Sequence, residues 1–159
     1  MVSKVQRDRI MSYIDSGKQE GATVEMGGNK HGDKGFFVEP TVFTDVKPNM
    51  RIVKEEIFGP VVVISKFSDE NDLIEQANDT AYGLAAAVFT KDIEQALRTA
   101  HRLNAGTVWI NKYNTLPVNV PFGGYKSSGW GRELGQAALH NYTEPKSVQI
   151  NLGMPAPGA

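Results

Sequence analysis

The chain has 159 residues and no cysteine, with 40% hydrophobic residues, 22% charged residues and a formal net charge of −1. This length suits one domain that buries a core without disulfides or metal. The near-neutral charge excludes the basic surface that nucleic acid or an anionic membrane would require, so neither partner is expected. The missing cysteine excludes a disulfide scaffold, a thiolate metal site and a cysteine nucleophile within these residues.

The apolar stretches of the chain are short. The longest, residues 60–64 and 84–89, fall well below the length of a membrane span. Residues 1–8 lead into a polar, helix-like sequence and lack the apolar centre of a signal peptide. We therefore expect a cytoplasmic protein.

The residues up to about Gly21 are predicted as a helix, because Ile10, Met11 and Ile14 form one apolar face. Short β-rich runs follow at residues 22–24, 36–38 and 41–43. The turn-rich residues 27–35 between the runs are predicted as a surface loop.

Strands and helices alternate in the middle of the chain. Val61–Ile64 is a continuous β-branched run, typical of a strand covered on both faces. A helix is predicted over residues 69–79 with Asp69 as its N-cap, and a second helix follows Thr90, its predicted N-cap. The apolar positions of the second helix are Ile93, Ala96, Leu97, Ala100 and Leu103. Two further strands are predicted at Gly83–Phe89 and Thr107–Asn111.

This alternation predicts an α/β fold whose three strands form one parallel sheet with right-handed crossovers. Ligands of such sheets bind beyond the carboxyl ends of the strands. Residues 111–114 and the loop to Gly124 occupy that position in the sequence. The crevice beside them is therefore the predicted ligand site.

Glu55 and Glu56 are adjacent, so their side chains diverge on a helix or a strand, and they do not form an acid/base pair. A carboxylate just before Phe58 could accept hydrogen bonds from ribose hydroxyls while the phenyl ring packs on a flat ring. The alternative interpretation is a solvated helix end.

The glycine-rich residues 123–135 match neither a Walker loop nor a dinucleotide fingerprint, and tight turns explain them better. His31, His101 and His140 are scattered and lack the spacing of metal ligands, so no metal site is expected.

Two blocks, residues 54–63 (KEEIFGPVVV) and 121–129 (PFGGYKSSG), resemble the NAD(P)-dependent aldehyde dehydrogenases. Further similar blocks occur in the family's order at residues 13–22, 35–42, 82–90, 105–111, 132–135 and 142–148. The resemblance covers nearly the whole chain and implies the C-terminal third of the family's polypeptide.

The resemblance implies a three-layer α/β/α catalytic-domain half with a largely parallel sheet in residues 1–135. It further implies an oligomerisation strand in residues 136–152, followed by a flexible tail at 153–159. A homo-oligomer formed through that strand is therefore expected. The interface residues implied by the family are Arg132, Tyr142 and Glu144.

The resemblance also implies NAD or NADP as cofactor, although tight binding by this chain alone is not expected. In the family, the glutamate matching Glu56 holds the nicotinamide ribose, and the phenylalanine matching Phe58 packs beside the cofactor. The residues implied for the aldehyde pocket are Asn114, Thr115, Leu116 and Phe122.

The family's nucleophilic cysteine, general base and cofactor glycines lie upstream of the matched region, so aldehyde oxidation by this chain alone is not expected. Three interpretations remain open. The chain is a C-terminal piece of an aldehyde dehydrogenase, a truncated relative with non-redox acid/base chemistry, or a non-catalytic oligomerisation or binding module. The catalytic candidates for the second interpretation are Lys112, Tyr113, Asn114 and His140. A solvent-facing Lys112 is the simpler account of that residue.

Overall fold

The computed structural model describes residues 1–153, and these form two compact units. The first unit contains residues 1–81 and 90–104, and the second contains residues 82–89 and those from 105 onward. The predicted domain boundary at residue 135 falls inside the second unit and stays a prediction. Apart from Gly153, the predicted tail lies outside the described residues.

The first unit begins with helix α1 (Lys4–Gln19). The helix begins there because Ser3 is extended and its hydroxyl accepts a hydrogen bond from an amide of the first turn. The predicted apolar face is confirmed at Ile10 and Ile14, which are fully buried. Tyr13 is buried beside them, so a side chain with a polar hydroxyl belongs to the apolar face.

Five short strands of the first unit form two sheets. They are β1 (Thr23–Met26), β2 (Lys30–His31), β3 (Phe37–Val38), β4 (Thr41–Thr44) and β5 (Val61–Val63). Strand β4 lies between β1, to which it is antiparallel, and β5, to which it is parallel. Strands β2 and β3 form an antiparallel pair, so part of the segment predicted as a surface loop is strand.

The core of the first unit joins α1 to β4 and to the short helix α2 (Arg51–Lys54). Phe43 of β4 and Ile52 of α2 both reach Gly17 of α1, where a Cβ atom would lie 3.1 Å from the Phe43 ring and 2.8 Å from the Ile52 methyl group. Glycine at this position therefore lets the helix approach closely. The other buried members are Val38, Met50 and Ile57.

Strand β5 is the edge of its sheet, and the described residues differ from two predictions about it. Its Val62 side chain is 51% exposed, so β5 is not covered on both faces by the described residues. The two later strands, β6 (Ala85–Val88) and β7 (Thr107–Ile110), form a separate parallel pair in the second unit. The described residues thus form three small sheets instead of one. Alternation of strands and helices indicates strand direction, but it does not decide which strands are neighbours.

Helices α3 (Glu70–Asn78) and α4 (Ile93–Arg102) belong to the first unit. Asp69 caps α3 as predicted, because its carboxylate accepts hydrogen bonds from two amides of the first turn. The prediction for α4 is wrong: Asp92 is its N-cap, and the Thr90 hydroxyl accepts a hydrogen bond from the Asp92 amide. The carboxylate of Asp92 reaches two first-turn amides, which explains why the helix begins after it.

An ion-pair network joins α3 to α4. The Arg98 guanidinium donates to both carboxylate oxygens of Glu70 at 2.9 to 3.0 Å, and Arg102 donates to the same carboxylate at 3.2 Å. The hydrogen bonds from Arg98 are the main cause that lowers the pKa of Glu70 below its usual value. The network therefore depends on an ionised carboxylate.

In the second unit, the register of β6 and β7 places Ala87 beside Trp109, which is 6% exposed. Gly106, just before β7, donates its amide to the Gly83 carbonyl oxygen at 3.0 Å. A Cβ atom on Gly106 would lie 1.8 Å from the carbonyl oxygen of Gly123. Only glycine allows the backbone of the 123–124 segment to approach the strand this closely.

The end of the described chain differs from the predicted oligomerisation strand. Gln136–Asn141 forms a 3₁₀ helix, and residues 142–153 contain neither helix nor strand and are exposed. An extended segment becomes a strand only when a neighbouring edge supplies backbone hydrogen bonds. No edge among the described residues does so, and the strand stays a prediction.

Candidate functional site

Residues 56–60, here called the Glu56–Pro60 shelf, follow directly after α2 in the first unit. Glu56 and Phe58 are exposed, whereas Ile57 between them is 8% exposed and belongs to the core. The carboxylate of Glu56 makes no hydrogen bond or ion pair with any residue in 1–153. The shelf therefore presents one free carboxylate and one aromatic ring on a segment anchored by an apolar side chain.

The neighbouring Glu55 is occupied. Its carboxylate accepts a hydrogen bond of 2.7 Å from the Tyr13 hydroxyl and one of 3.3 Å from Arg51. The first of these bonds is the larger cause that lowers the pKa of Glu55, and the second adds to it. The two adjacent carboxylates thus have separate surroundings, as predicted, and only Glu56 is available to a ligand.

The backbone of the shelf is fixed in an uncommon conformation. Phe58 has a φ of 54°, which is unfavourable for a bulky L residue and requires support from its surroundings. The side-chain amide of Gln6 donates to the Phe58 carbonyl oxygen at 2.8 Å. Gly59 lies against Ile10, where a Cβ atom would come within 2.7 Å of a side-chain carbon. Two residues of helix α1, Gln6 and Ile10, therefore contact the backbone of the shelf and support its conformation.

The arrangement suits recognition of a ligand that combines hydroxyl groups with a flat ring. An ionised carboxylate accepts hydrogen bonds from two vicinal hydroxyls, as on a ribose. The Phe58 ring, two residues after Glu56, is 70% exposed and offers a flat apolar surface.

The second unit holds the loop that follows β7. Asn111 and Asn114 both have φ near 55°, a conformation that asparagine tolerates better than most residues. Trp109 donates its indole N–H to the Thr115 carbonyl oxygen at 2.9 Å and packs edge-on against the Tyr113 ring at 5.4 Å. Contacts from Trp109 of β7 thus hold the loop that follows this strand close to it.

Lys112, Tyr113, Asn114 and His140, the four catalytic candidates, are all exposed. Within residues 1–153, no hydrogen bond or ion pair joins His140 to the other three. The structure therefore leaves the acid/base assignment of these residues a prediction, with Lys112 facing solvent as the simpler account holds.

Phe122 is half-buried and pairs with Glu133 through two backbone hydrogen bonds of 2.8 Å. It lines a hollow of about 440 Å³ in the second unit. This hollow does not include Asn114, Thr115 or Leu116. The composition of the aldehyde pocket stays a prediction.

Arg132, a predicted interface residue, makes local contacts. Its guanidinium donates to the carbonyl oxygens of Gly124 and Gly131 and lies 5.5 Å from the centre of the Tyr125 ring. It therefore fastens the glycine-rich loop, in which Gly129, Gly131 and Gly135 have positive φ as the tight-turn interpretation requires. Tyr142 and Glu144 are exposed, and an interface role for the three residues stays a prediction.

Sequence reasoning missed three residues that shape the shelf: Gln6, Tyr13 and Arg51. Gln6 lies 52 positions before its partner Phe58, and Tyr13 lies 42 positions before Glu55. No local pattern links residues so far apart. The i, i+4 spacing of Arg51 and Glu55 was the one signal in the sequence that could have shown that Glu55 is paired.

Two further expectations can be compared with the described residues. Residues 1–153 contain no group of three or more side chains able to hold a metal ion. Within the same range, every helix is too short or too polar to cross a membrane.

Comparison with known proteins identifies the family to which this chain belongs. A sequence model described as the aldehyde dehydrogenase family matches residues 1–148. The aldehyde dehydrogenase of Agaricus bisporus is 62% identical over 151 residues, which are 95% of this chain and 30% of that protein. The chain belongs to the aldehyde dehydrogenase family, which confirms the resemblance seen in its sequence blocks.

Solved structures agree with this assignment. An NAD⁺ complex of aldehyde dehydrogenase from Bacillus cereus is 57% identical with a TM-score of 0.91, covering 96% of this chain and 31% of that one. A betaine aldehyde dehydrogenase variant from Staphylococcus aureus, also in complex with NAD⁺, is 46% identical with a TM-score of 0.92, covering 98% and 33%. The chain thus spans about a third of the length of the relatives it matches.

Proposed function

We propose that this chain provides part of the cofactor and aldehyde sites of an NAD(P)-dependent aldehyde dehydrogenase and corresponds to the C-terminal third of the family's polypeptide. The single observation that carries the proposal is the Glu56–Pro60 shelf, with its free carboxylate and exposed ring. The order of the matching sequence blocks supports the placement within the family.

The shelf fits the nicotinamide half of the cofactor. Glu56 would accept hydrogen bonds from the two ribose hydroxyls, and the Phe58 ring would pack beside the flat part of the ligand. When bound, the cofactor supplies the hydride acceptor for aldehyde oxidation. The contribution of this chain is to bind and orient the ribose.

The covalent step of the family's reaction needs a thiolate, and these 159 residues contain no cysteine. We therefore assign aldehyde oxidation to the whole protein and not to this chain alone. Among the contacts of residues 1–153, none favours non-redox acid/base chemistry by Lys112, Tyr113, Asn114 and His140.

The largely parallel sheet is proposed for the whole protein. The open edge of β5 supports this, because among the described residues β5 pairs with β4 alone, and the nearby apolar side chains of Val62 and Ile64 are each 51% exposed. The apolar surface beside the edge continues into a hollow of about 350 Å³ that includes Met26 and Val42. Exposed apolar edges are normally paired or covered in native proteins, and further strands of the family's fold would cover this one.

A homo-oligomer formed through residues 142–152 is proposed as the assembly. Val148, Ile150 and Leu152 are each more than 70% exposed. They occupy every second position, so in an extended segment all three lie on one face. Such a segment is suited to adding a strand to the sheet of a second copy.

Titration of the purified chain with nicotinamide mononucleotide, followed by NMR, tests the cofactor proposal. We expect shifts centred on the Glu56–Pro60 shelf and at least about tenfold weaker binding in Glu56→Gln, because a hydrogen bond to a charged acceptor is lost. Asp15→Asn, which removes an exposed carboxylate on α1, is the matched control and should bind as the unmodified chain does. Equal binding by Glu56→Gln and Asp15→Asn would overturn the proposal.

A further inference from the structure

The side chain of Gln6 is the one side chain in residues 1–153 that donates a hydrogen bond to the backbone of the Glu56–Pro60 shelf. Its Nε2 atom lies 2.8 Å from the Phe58 carbonyl oxygen. Gln6 sits in the first turn of α1, where its own amide donates to the Ser3 hydroxyl at 3.2 Å. The capped start of α1 thus places the Gln6 side chain within hydrogen-bonding distance of the shelf.

The bonded carbonyl belongs to the strained residue. Phe58 has a φ of 54°, and a left-handed conformation is unfavourable for a non-glycine residue. Such a residue keeps its conformation only where its surroundings determine it. Downstream, the Pro60 carbonyl oxygen accepts from the Thr41 amide at 2.8 Å and Gly59 is held against Ile10. At Phe58 itself, Gln6 supplies the constraint.

The φ of Phe58 sets the orientation of its ring and carbonyl relative to the residues before it, including Glu56. If Phe58 relaxed to negative φ, its carbonyl and its ring would rotate relative to Gly59, and the exposed carboxylate two residues earlier would lose its fixed relation to the ring. Gln6 itself needs no contact with a ligand to have this effect.

We propose that Gln6 is a positioning residue for nicotinamide-ribose binding, acting through the carbonyl oxygen of Phe58. The inference rests on the proposed function of Glu56 and adds how the site is held in shape. Gln6→Met keeps the length of the side chain and removes the donor. Gln6→Asn keeps the amide and shortens its reach by one methylene group. Gln19→Met, at an exposed position at the other end of α1, is the matched control.

Two measurements on the full chain test the role of Gln6. The backbone coupling constant and carbonyl shift of Phe58 report its φ and its hydrogen bond. Titration with nicotinamide mononucleotide reports binding. In both Gln6 variants we expect the Phe58 signals to leave the left-handed range and binding to weaken by about fivefold, the factor for one neutral hydrogen bond. Gln19→Met should change neither quantity.

The outcomes separate this inference from the proposed function. If Glu56→Gln weakens binding but both Gln6 variants bind as the unmodified chain does, the inference is wrong and the cofactor proposal stands. If the Phe58 signals change but binding does not, Gln6 has only a structural role, and the inference is likewise wrong. If Glu56→Gln leaves binding unchanged, the cofactor proposal fails and the inference fails with it.

Discussion

The hydroxyl of Tyr13 donates a hydrogen bond of 2.7 Å to the carboxylate of Glu55, which lies 42 residues further along the chain. The Arg51 guanidinium lies over the Tyr13 ring at 3.9 Å from its centre and donates to the same carboxylate. These contacts join α1 to the end of α2, immediately before the Glu56–Pro60 shelf. They also occupy Glu55, which leaves Glu56 as the available carboxylate.

Tyr13→Phe should raise the pKa of Glu55 toward its usual value, because the hydrogen bond from Tyr13 is the main cause that lowers it. A carboxylate with a lowered pKa stabilises the folded chain above its unfolded-state pKa, and this contribution is lost as the pH falls through the folded-state value. Tyr13→Phe should therefore be less stable than the unmodified chain at neutral pH. Its stability should also fall less than that of the unmodified chain when the pH is lowered. NMR titration of Glu55 measures the shift directly.

The matched control for this prediction is Tyr113→Phe. Tyr113 is 72% exposed, and its hydroxyl makes no hydrogen bond within the described residues. If Tyr13→Phe and Tyr113→Phe left the Glu55 titration equally unchanged, the hydrogen bond would not exist in solution.

Glu70→Gln should weaken the connection between α3 and α4 and should change how stability depends on pH. The pKa of Glu70 lies below its usual value of 4.5, mainly because of Arg98. The contribution of ionised Glu70 to folding stability is complete above its usual pKa and is lost as the pH falls through the lower folded-state pKa. Chemical denaturation at a series of pH values should therefore show a smaller loss of stability below pH 4.5 in the variant. Glu75→Gln, an exposed position on the same helix, should keep the pH dependence of the unmodified chain.

Gly106→Ala should destabilise the second unit by at least about 3 kcal/mol, because overpacking against rigid backbone reaches the upper end of the usual range. The added Cβ atom would lie 1.8 Å from the Gly123 carbonyl oxygen, so β7 or the 123–124 segment has to move. Hydrogen exchange of the β6 and β7 amides measures the effect. For comparison, Gly32→Ala meets no atom within 4 Å and carries only the strain of its positive φ, about 1 kcal/mol. Equal protection of β6 and β7 in the two variants would contradict the close approach.

Local features of the fold could be predicted from the sequence. The apolar face of α1 and the Asp69 cap depend on neighbours within one or two helical turns, and both are confirmed. The N-cap of α4 was harder to predict, since Thr90 and Asp92 both offer a side-chain oxygen near the start of the helix. Only the structure shows that the Asp92 carboxylate accepts from two first-turn amides, whereas the Thr90 hydroxyl accepts from the amide of Asp92 itself.

Pairings between distant segments could not be predicted in the same way. The apolar run at β5 is equally compatible with a central strand and with an edge that another part of the protein covers. For the candidate site, the sequence blocks indicated Glu56 and Phe58, and the family is confirmed by the comparisons. The contacts that distinguish Glu55 from Glu56 depend on Tyr13, which no periodicity connects to them.

The most direct test of the central claim is a chimera in which this chain replaces the matching third of the Bacillus cereus aldehyde dehydrogenase. Reduction of NAD⁺ with an aldehyde substrate would be measured for the chimera and for the same chimera carrying Glu56→Gln. We expect the chimera to oxidise aldehydes and Glu56→Gln to lower kcat/KM for the cofactor by about tenfold to a hundredfold, from loss of hydrogen bonds to a charged group. A folded, NAD⁺-reducing chimera that is unaffected by Glu56→Gln would contradict the account.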